Sequence, residues 1–214
     1  MQVDAAVPVL DDTVILSDAS WETYQALSAD SGPGSGVRLT YDRGVLQIMT
    51  LSAGHELPNR SLDDLVVEMV RLLDIEFCSV GSTTLEREDL LRASEPDSAF
   101  YFRNAAAIAA KAQIRLGEDP PPDLVIEVDM SRRSVDKLSL YAAMGVSEVW
   151  RYKAGRVHMY VLDTNGHYQE VARSRWLAPL TPEAATEFVR ARARLTRQSA
   201  WVAMIGKWYS DAVR

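Results

Sequence analysis

Hydrophobic positions along the chain fall into two periods, and both occur in succession between residues 120 and 141. Leu124, Val125, Ile126 and Val128 form a β-branched run that opens after a proline turn and is interrupted by no Gly or Pro, the pattern of a buried strand. Val135, Leu138, Tyr141 and Ala142 then recur at helical spacing as far as Gly145, which suits a helix stop. A further strand over residues 149–152 completes a βαβ unit, so the two strands should run parallel with a right-handed crossover.

The same periods place elements on either side. Trp21, Tyr24 and Leu27 predict a short helix capped by Ser20, and residues 1–20 before it show no clear period. Residues 37–41 and 45–50 read as a hairpin turning at Asp42-Arg43-Gly44. Leu62, Leu65, Val66, Met69, Val70 and Leu73 make the stripe of a core-facing helix, with Pro58 in its first turn. Residues 75–80 and 83–86 are strand-like, a polar loop follows through Arg92, and Glu95-Pro96-Asp97 opens an aromatic strand. Residues 104–113 are helical by propensity and read as a surface excursion. Residues 156–162 and 168–173 form a hairpin about Asn165-Gly166, and from Thr181 the chain ends in one long or two short helices. The domain reading is an N-terminal extension over 1–20, a domain over 21–175, and a helical segment over 176–214 that packs on the domain or on a dimer partner.

Carboxylates interrupt the central run. Alternation puts Asp123, Glu127 and Asp129 on one side and Leu124, Ile126 and Val128 on the other, so one face reads as core and the other as acidic. Carboxylates on an interior strand are costly unless paired, hydrogen-bonded or metal-bound, which points to a metal site; an amphipathic edge strand with one solvated face gives the same pattern. At roughly 3.3 Å per residue, Asp123 lies about 13 Å from Glu127, too far to share an ion, and reads as a turn residue after the prolines.

Composition narrows the classes. The 214 residues, 47% hydrophobic and 25% charged, suit one globular unit with no apolar run long enough to span a bilayer. The acidic N-terminus lacks the features of a secretory signal, so a cytoplasmic location is expected. The net charge of -7 argues against nonspecific DNA coating without excluding a nuclease. Charge is uneven: from Thr181 onward six basic residues face three acidic ones, a net +3. The single cysteine builds no thiolate cage, the three histidines lack zinc-hydrolase spacing, and the glycines near Ser31 lack a following Gly-Lys-Ser/Thr. No organic cofactor is expected. His55, beside Glu56 at a helix entrance, is the one histidine placed to take part.

The strand PPDLVIEV, the turn after it and DKLSLYAAMGVSEVWRY together resemble the Uma-two family, also called domain of unknown function 820, within the restriction-endonuclease-like PD-(D/E)XK fold. The hairpin at Tyr41-Asp42-Arg43-Gly44, His55 and Glu95-Pro96-Asp97 are similar too. The resemblance spans about residues 20–175. It implies a mixed α/β (α+β) fold: a central mixed sheet flanked by helices, with an N-terminal hairpin and a C-terminal helical extension. It also implies that Asp97 and Glu127 are metal ligands. Oxygen donors of this kind suit Mg²⁺ or Mn²⁺, which can generate hydroxide for phosphodiester hydrolysis.

The motif places its lysine two residues after the Glu, where this chain has Asp129. Lys137, in the first turn of the next helix, can reach back toward the strand end and is the candidate replacement; Asp129, His55 and Glu56 are possible accessories. Arg132 and Arg133 are candidate DNA contacts. The expected function is a Mg²⁺- or Mn²⁺-dependent endonuclease cutting DNA. The alternative is an inactive module of the same fold that binds nucleic acid or protein. A homodimer is expected from the terminal stripe Trp201, Val202, Ile205, Trp208 and Tyr209.

Overall fold

The β-branched run around Val125 forms the interior of a mixed sheet, and the elements before it supply a second sheet. The computed structural model describes residues 11–32, 36–111, 113–131 and 135–214. In chain order they form β1 (Asp12–Leu16), α1 (Trp21–Ser31), β2 (Val37–Asp42), β3 (Val45–Thr50), α2 (Ala53–Leu73), β4 (Cys78–Gly81), β5 (Leu85–Arg87), β6 (Arg92–Ser94), β7 (Ser98–Tyr101), α3 (Ala105–Ala109), β8 (Leu124–Asp129), α4 (Lys137–Met144), β9 (Glu148–Lys153), β10 (Arg156–Leu162), β11 (Tyr168–Glu170), α5 (Pro182–Arg194) and α6 (Gln198–Ala212). The first sheet has the order β1-β3-β2-β6-β5, and the second β11-β10-β9-β8-β7-β4.

In the second sheet β8 pairs parallel with β9, Glu127 lying opposite Arg151, and antiparallel with β7, Ser98 lying opposite Ile126. The parallel pair required by the βαβ reading is therefore present. Leu124, Ile126 and Val128 enter a core built with α2, α5 and α6. Val125 packs on the other side against Leu140, Tyr141 and Met144 of α4. The acidic face of β8 is thus not a solvated one: Glu127 shares it with Val125 and α4, and β8 is an interior strand. A third cluster, Trp21, Tyr24, Leu39, Tyr41 and Leu46, seals α1 onto the first sheet.

Local chemistry explains several boundaries. Ser20 accepts from Thr23 N at 3.1 Å and starts α1. Arg43 and Gly44 both have positive φ, +47° and +94°, the two-residue turn that matches hairpin twist. α2 begins at Ala53, five residues before Pro58, which leaves His55 in its first turn and Pro58 inside the helix. The polar stretch before Ser94 contributes the short strand β6, and among the described residues of the predicted helix over 104–113 only Ala105–Ala109 is helical.

The ends of the chain join this frame. Residues 12–16, within a stretch with no evident period, pair along β3 as the edge strand β1. At the other end Thr181 accepts from Ala184 N at 3.2 Å to cap α5. Trp201 and Ile205 of α6 are fully buried in the chain's own core, and Trp201 Nε1 donates to Phe188 O at 2.8 Å. Val202, Trp208 and Tyr209 of the terminal stripe are half-buried against the same core. Among the described residues no helix is long and apolar enough to cross a membrane.

Candidate active site

Strand pairing brings Asp97 and Glu127 together. Asp97 immediately precedes β7; its N–H donates to Ile126 O at 3.2 Å, and its Oδ2 accepts from Val128 N at 2.7 Å. These backbone contacts bracket Glu127 and fix the Asp97 carboxylate beside it. Asp97 is 5% exposed and Glu127 6%, so neither charge is relieved by bulk water.

Two side chains one turn apart on α4 take the Glu127 oxygens. Lys137 Nζ donates to Oε2 at 2.6 Å, and the Tyr141 hydroxyl donates to Oε1. The Tyr141 hydroxyl also lies 3.1 Å from Ser94 Oγ of β6, tying the helix to the first sheet. Asp136 leaves Lys137 free for this contact, because its carboxylate caps α4 by accepting from Leu138 N at 3.2 Å.

On the other side of Asp97 lies His55. Its Nε2 is 2.9 Å from Asp97 Oδ1, and its Nδ1 is 3.0 Å from Asp11 Oδ2. The Nε2 contact is close but poorly aligned, so it acts through charge more than as a directed hydrogen bond. Burial alone would favour the neutral ring; the carboxylates of Asp97 and Asp11 outweigh it and raise the His55 pKa to about 9. At neutral pH the ring is an imidazolium between two carboxylates, unable to accept a proton as a general base.

Asp129, on the same face as Glu127, is neutralised separately. Arg151 and Lys153 of β9 bind its Oδ2, the latter at 3.0 Å, while Ser131 Oγ donates to Oδ1 at 2.9 Å. Burial raises its pKa, but these contacts prevail and hold it below the ordinary value. A cavity of about 30 Å³, enough for a water molecule, is lined by Gln47, Met49, Glu127, Asp129, Lys137 and Arg151. Gln47 belongs to β3, and its Oε1 accepts from Val135 N at 2.7 Å, so the first sheet forms one wall. An open cleft of about 810 Å³ lies elsewhere, against Thr83, Glu86, Arg115 and Glu118, and contains none of these groups.

Burial disfavours the Lys137 ammonium, but Glu127 and Asp97 together outweigh it and keep the lysine charged. Burial draws Glu127 toward its protonated form against the pull of Lys137, and Asp97 adds repulsion. A cation would relieve that repulsion. Among the described residues no three His, Cys, Asp or Glu side chains form a ready-made cage. The two carboxylates nevertheless fit Mg²⁺ or Mn²⁺, ions that keep several waters and take one or two carboxylates plus substrate phosphate oxygens.

The structure thus gathers Asp97, Glu127, Lys137, Asp129 and His55 into one region. Glu56 points away: it is solvent-exposed and pairs with Arg60 at 2.6 Å. Arg132 and Arg133 lie outside the described residues. Asp123, also buried, binds Phe102 N and Arg103 N at 2.9 and 3.0 Å and closes the turn after β7, apart from the site. The sequence reading missed Asp11, Gln47, Ser94 and the polar role of Tyr141. Tyr141 has a visible signal, since it stands four residues after Lys137 and shares its helix face.

Comparison with solved structures finds a nuclease-like protein described as "a putative nuclease belonging to DUF820" from Anabaena variabilis, at 11% identity and a TM-score of 0.49, with 71% of this chain and 90% of that one covered. No curated protein matches. The model of the family Uma2, described as "Putative restriction endonuclease", matches residues 21–193, and the chain belongs to that family.

Proposed function

We propose that the chain is a metal-dependent endonuclease that hydrolyses DNA phosphodiester bonds, with Asp97 and Glu127 as the protein ligands of Mg²⁺ or Mn²⁺. The observation that carries this reading is the buried Asp97–Glu127 pair on adjacent strands with Lys137 Nζ 2.6 Å from Glu127. When bound, the ion would lower the pKa of a coordinated water and offset charge building on the phosphate. Lys137 supplies the function that the motif assigns to the position of Asp129: its ammonium orients the attacking water in the cavity beside Gln47 and steadies developing negative charge. Tyr141 holds the Glu127 carboxylate by its Oε1, and His55 lies against that of Asp97. Because Lys137 is held charged, it acts first as a positioned donor; it would become a base only as the Glu127 charge is drawn to the ion.

The test is nicking of supercoiled plasmid by the purified protein in Mn²⁺ or Mg²⁺, with a chelator as control. Metal-dependent nicking that disappears in Asp97→Asn supports the reading. A parent protein that binds DNA but never cuts it would replace the nuclease with the non-catalytic binding module.

A further inference from the structure

Asp11 lies before the family-matched segment, yet it is part of the site's support. It is 6% exposed and uses both carboxylate oxygens: Oδ1 accepts from Ser52 N at 2.7 Å, and Oδ2 contacts His55 Nδ1 at 3.0 Å. Ser52 is the N-cap position of α2 and His55 its third residue, so Asp11 grips the entrance of that helix at two points. From His55 the chain of contacts continues through Nε2 to Asp97 Oδ1 at 2.9 Å, and from Asp97 Oδ2 to Val128 N at 2.7 Å. The His55 side chain is fully buried, that of Asp11 likewise, and that of Asp97 is 2% exposed. Bulk water is excluded along this line; Asp11 and Asp97 each hold a backbone N–H with their second oxygen, and the ring sits between them.

We propose that Asp11 is a positioning residue for the metal ligand Asp97, acting through His55, and that strand β1 is the element that delivers it. This rests on the nuclease reading. With β1 paired along β3, Asp11 fixes the tilt of the His55 ring, and the ring, 2.9 Å from Asp97 Oδ1, fixes the carboxylate that would hold the ion. An Asp97 carboxylate held by Val128 alone could pivot about that one hydrogen bond. Supporting groups of this kind typically change metal affinity by about 10–100-fold when removed.

The experiment measures Mn²⁺ binding by calorimetry on the full chain and on Asp11→Asn, His55→Gln and the double variant, well below each protein's melting temperature. Asp11→Asn is expected to weaken Mn²⁺ binding about tenfold, and to add nothing in the His55→Gln background, because its effect passes through the ring. A folded Asp11→Asn that binds Mn²⁺ within twofold of the parent, or effects of the two substitutions that simply multiply, would overturn the proposal while leaving the nuclease reading intact. If Asp11→Asn does not fold, the same titration on Asp11→Ser decides, since its hydroxyl is uncharged and one atom shorter than the carboxylate that contacts His55; Mn²⁺ binding within twofold of the parent would again overturn the proposal. A parent that binds no Mn²⁺ and cuts no plasmid removes the nuclease reading and this proposal together.

Discussion

Lys137 separates stability from chemistry, and the two can be measured apart. Replacing it with Ala leaves Glu127 buried without its 2.6 Å partner, and loss of one member of a buried ion pair costs about 3–5 kcal/mol when the other stays charged. Glu127 has an escape, since burial and Asp97 already draw it toward the protonated acid. Protonating a carboxyl of ordinary pKa near 4.3 at pH 7 costs about 4 kcal/mol, which sets an upper bound on the electrostatic loss. In the variant the folded-state pKa of Glu127 lies above its unfolded value, so the stability tied to its protonation is present below about pH 4.3 and is lost as pH rises. The deficit of Lys137→Ala should therefore shrink by about 1.4 kcal/mol for each pH unit of acidification between pH 7 and 5. Lys137→Arg keeps a charge and most of the stability, but Arg cannot give up a proton and its planar fork does not reproduce a compact ammonium. Both variants should lose about 10²–10⁴-fold in Mn²⁺-dependent plasmid nicking, the range for a positioned proton-transfer group, although only the first loses much stability. Urea denaturation from pH 5 to 8 beside plasmid nicking reads both effects. Full nicking by Lys137→Ala would refute the relocated-lysine mechanism, and a stability deficit that does not vary with pH would refute the account of Glu127.

Three further outcomes follow from the same geometry. The double variant Asp97→Asn, Glu127→Gln should bind no Mn²⁺ in calorimetry; binding equal to the parent would place the ion elsewhere. Burial raises the pKa of Tyr24, Tyr101, Tyr141 and Tyr168, so their neutral forms contribute stability that is complete below pH 10 and is lost above it. Each should steepen alkaline unfolding by about 1.4 kcal/mol per pH unit, and tyrosinate absorbance should appear together with unfolding; ionisation in a still-folded chain would contradict this. Trp201→Ala should destabilise the chain by about 3–5 kcal/mol, because its ring is fully buried and its N–H is bonded to Phe188 O. Light scattering and the concentration dependence of melting check whether that stripe also serves a dimer, in which case the melting temperature of the parent rises with protein concentration.

Much of the frame was legible because its signals are local. The β-branched run at 124–128, the stripe from Leu62 to Leu73 and the Arg43-Gly44 turn each carry their period or turn chemistry within a few residues. Glu127 stood out because carboxylates interrupt an apolar strand, and Asp97 because it opens an aromatic one and sits in the element that resembles the family motif. The missed parts depend on pairing between distant segments. β1 is an edge strand whose five residues are nearly all exposed, so it has no inward stripe to read; its register is set by β3 and not by its own pattern. Asp11 therefore looked like one acidic residue among several in an aperiodic stretch. Gln47 looked like a polar position in a hairpin, and its amide oxygen finds its partner only in Val135 N, in the distant segment between β8 and α4. The face of Glu127 and Asp129 stayed open between a metal site and a solvated edge because single-strand alternation does not reveal that α4 covers it.

The proposed placement of the site lysine at 137, with an aspartate at 129, agrees with that cover. Residue 129 shares a strand face with Glu127, at the end where Arg151 and Lys153 of the parallel neighbour project. A lysine at 129 would meet two further cations there, whereas an aspartate is bound by both. Residue 137 begins the covering helix, and from it an ammonium reaches the same carboxylate with the Tyr141 hydroxyl beside it. The local arrangement therefore keeps a lysine on the Glu and moves the charge conflict out of the strand. A restored motif can test this reasoning: Asp129→Lys paired with Lys137→Asp should destabilise the chain beyond the sum of ordinary surface changes, because it places three cations together at the end of β8 and β9 and leaves an acid against Glu127. If that exchange folds as stably as the parent and nicks plasmid with Mn²⁺ at the parent's rate, the two positions are interchangeable, and the basic partners of Asp129 have no part in fixing where the lysine stands.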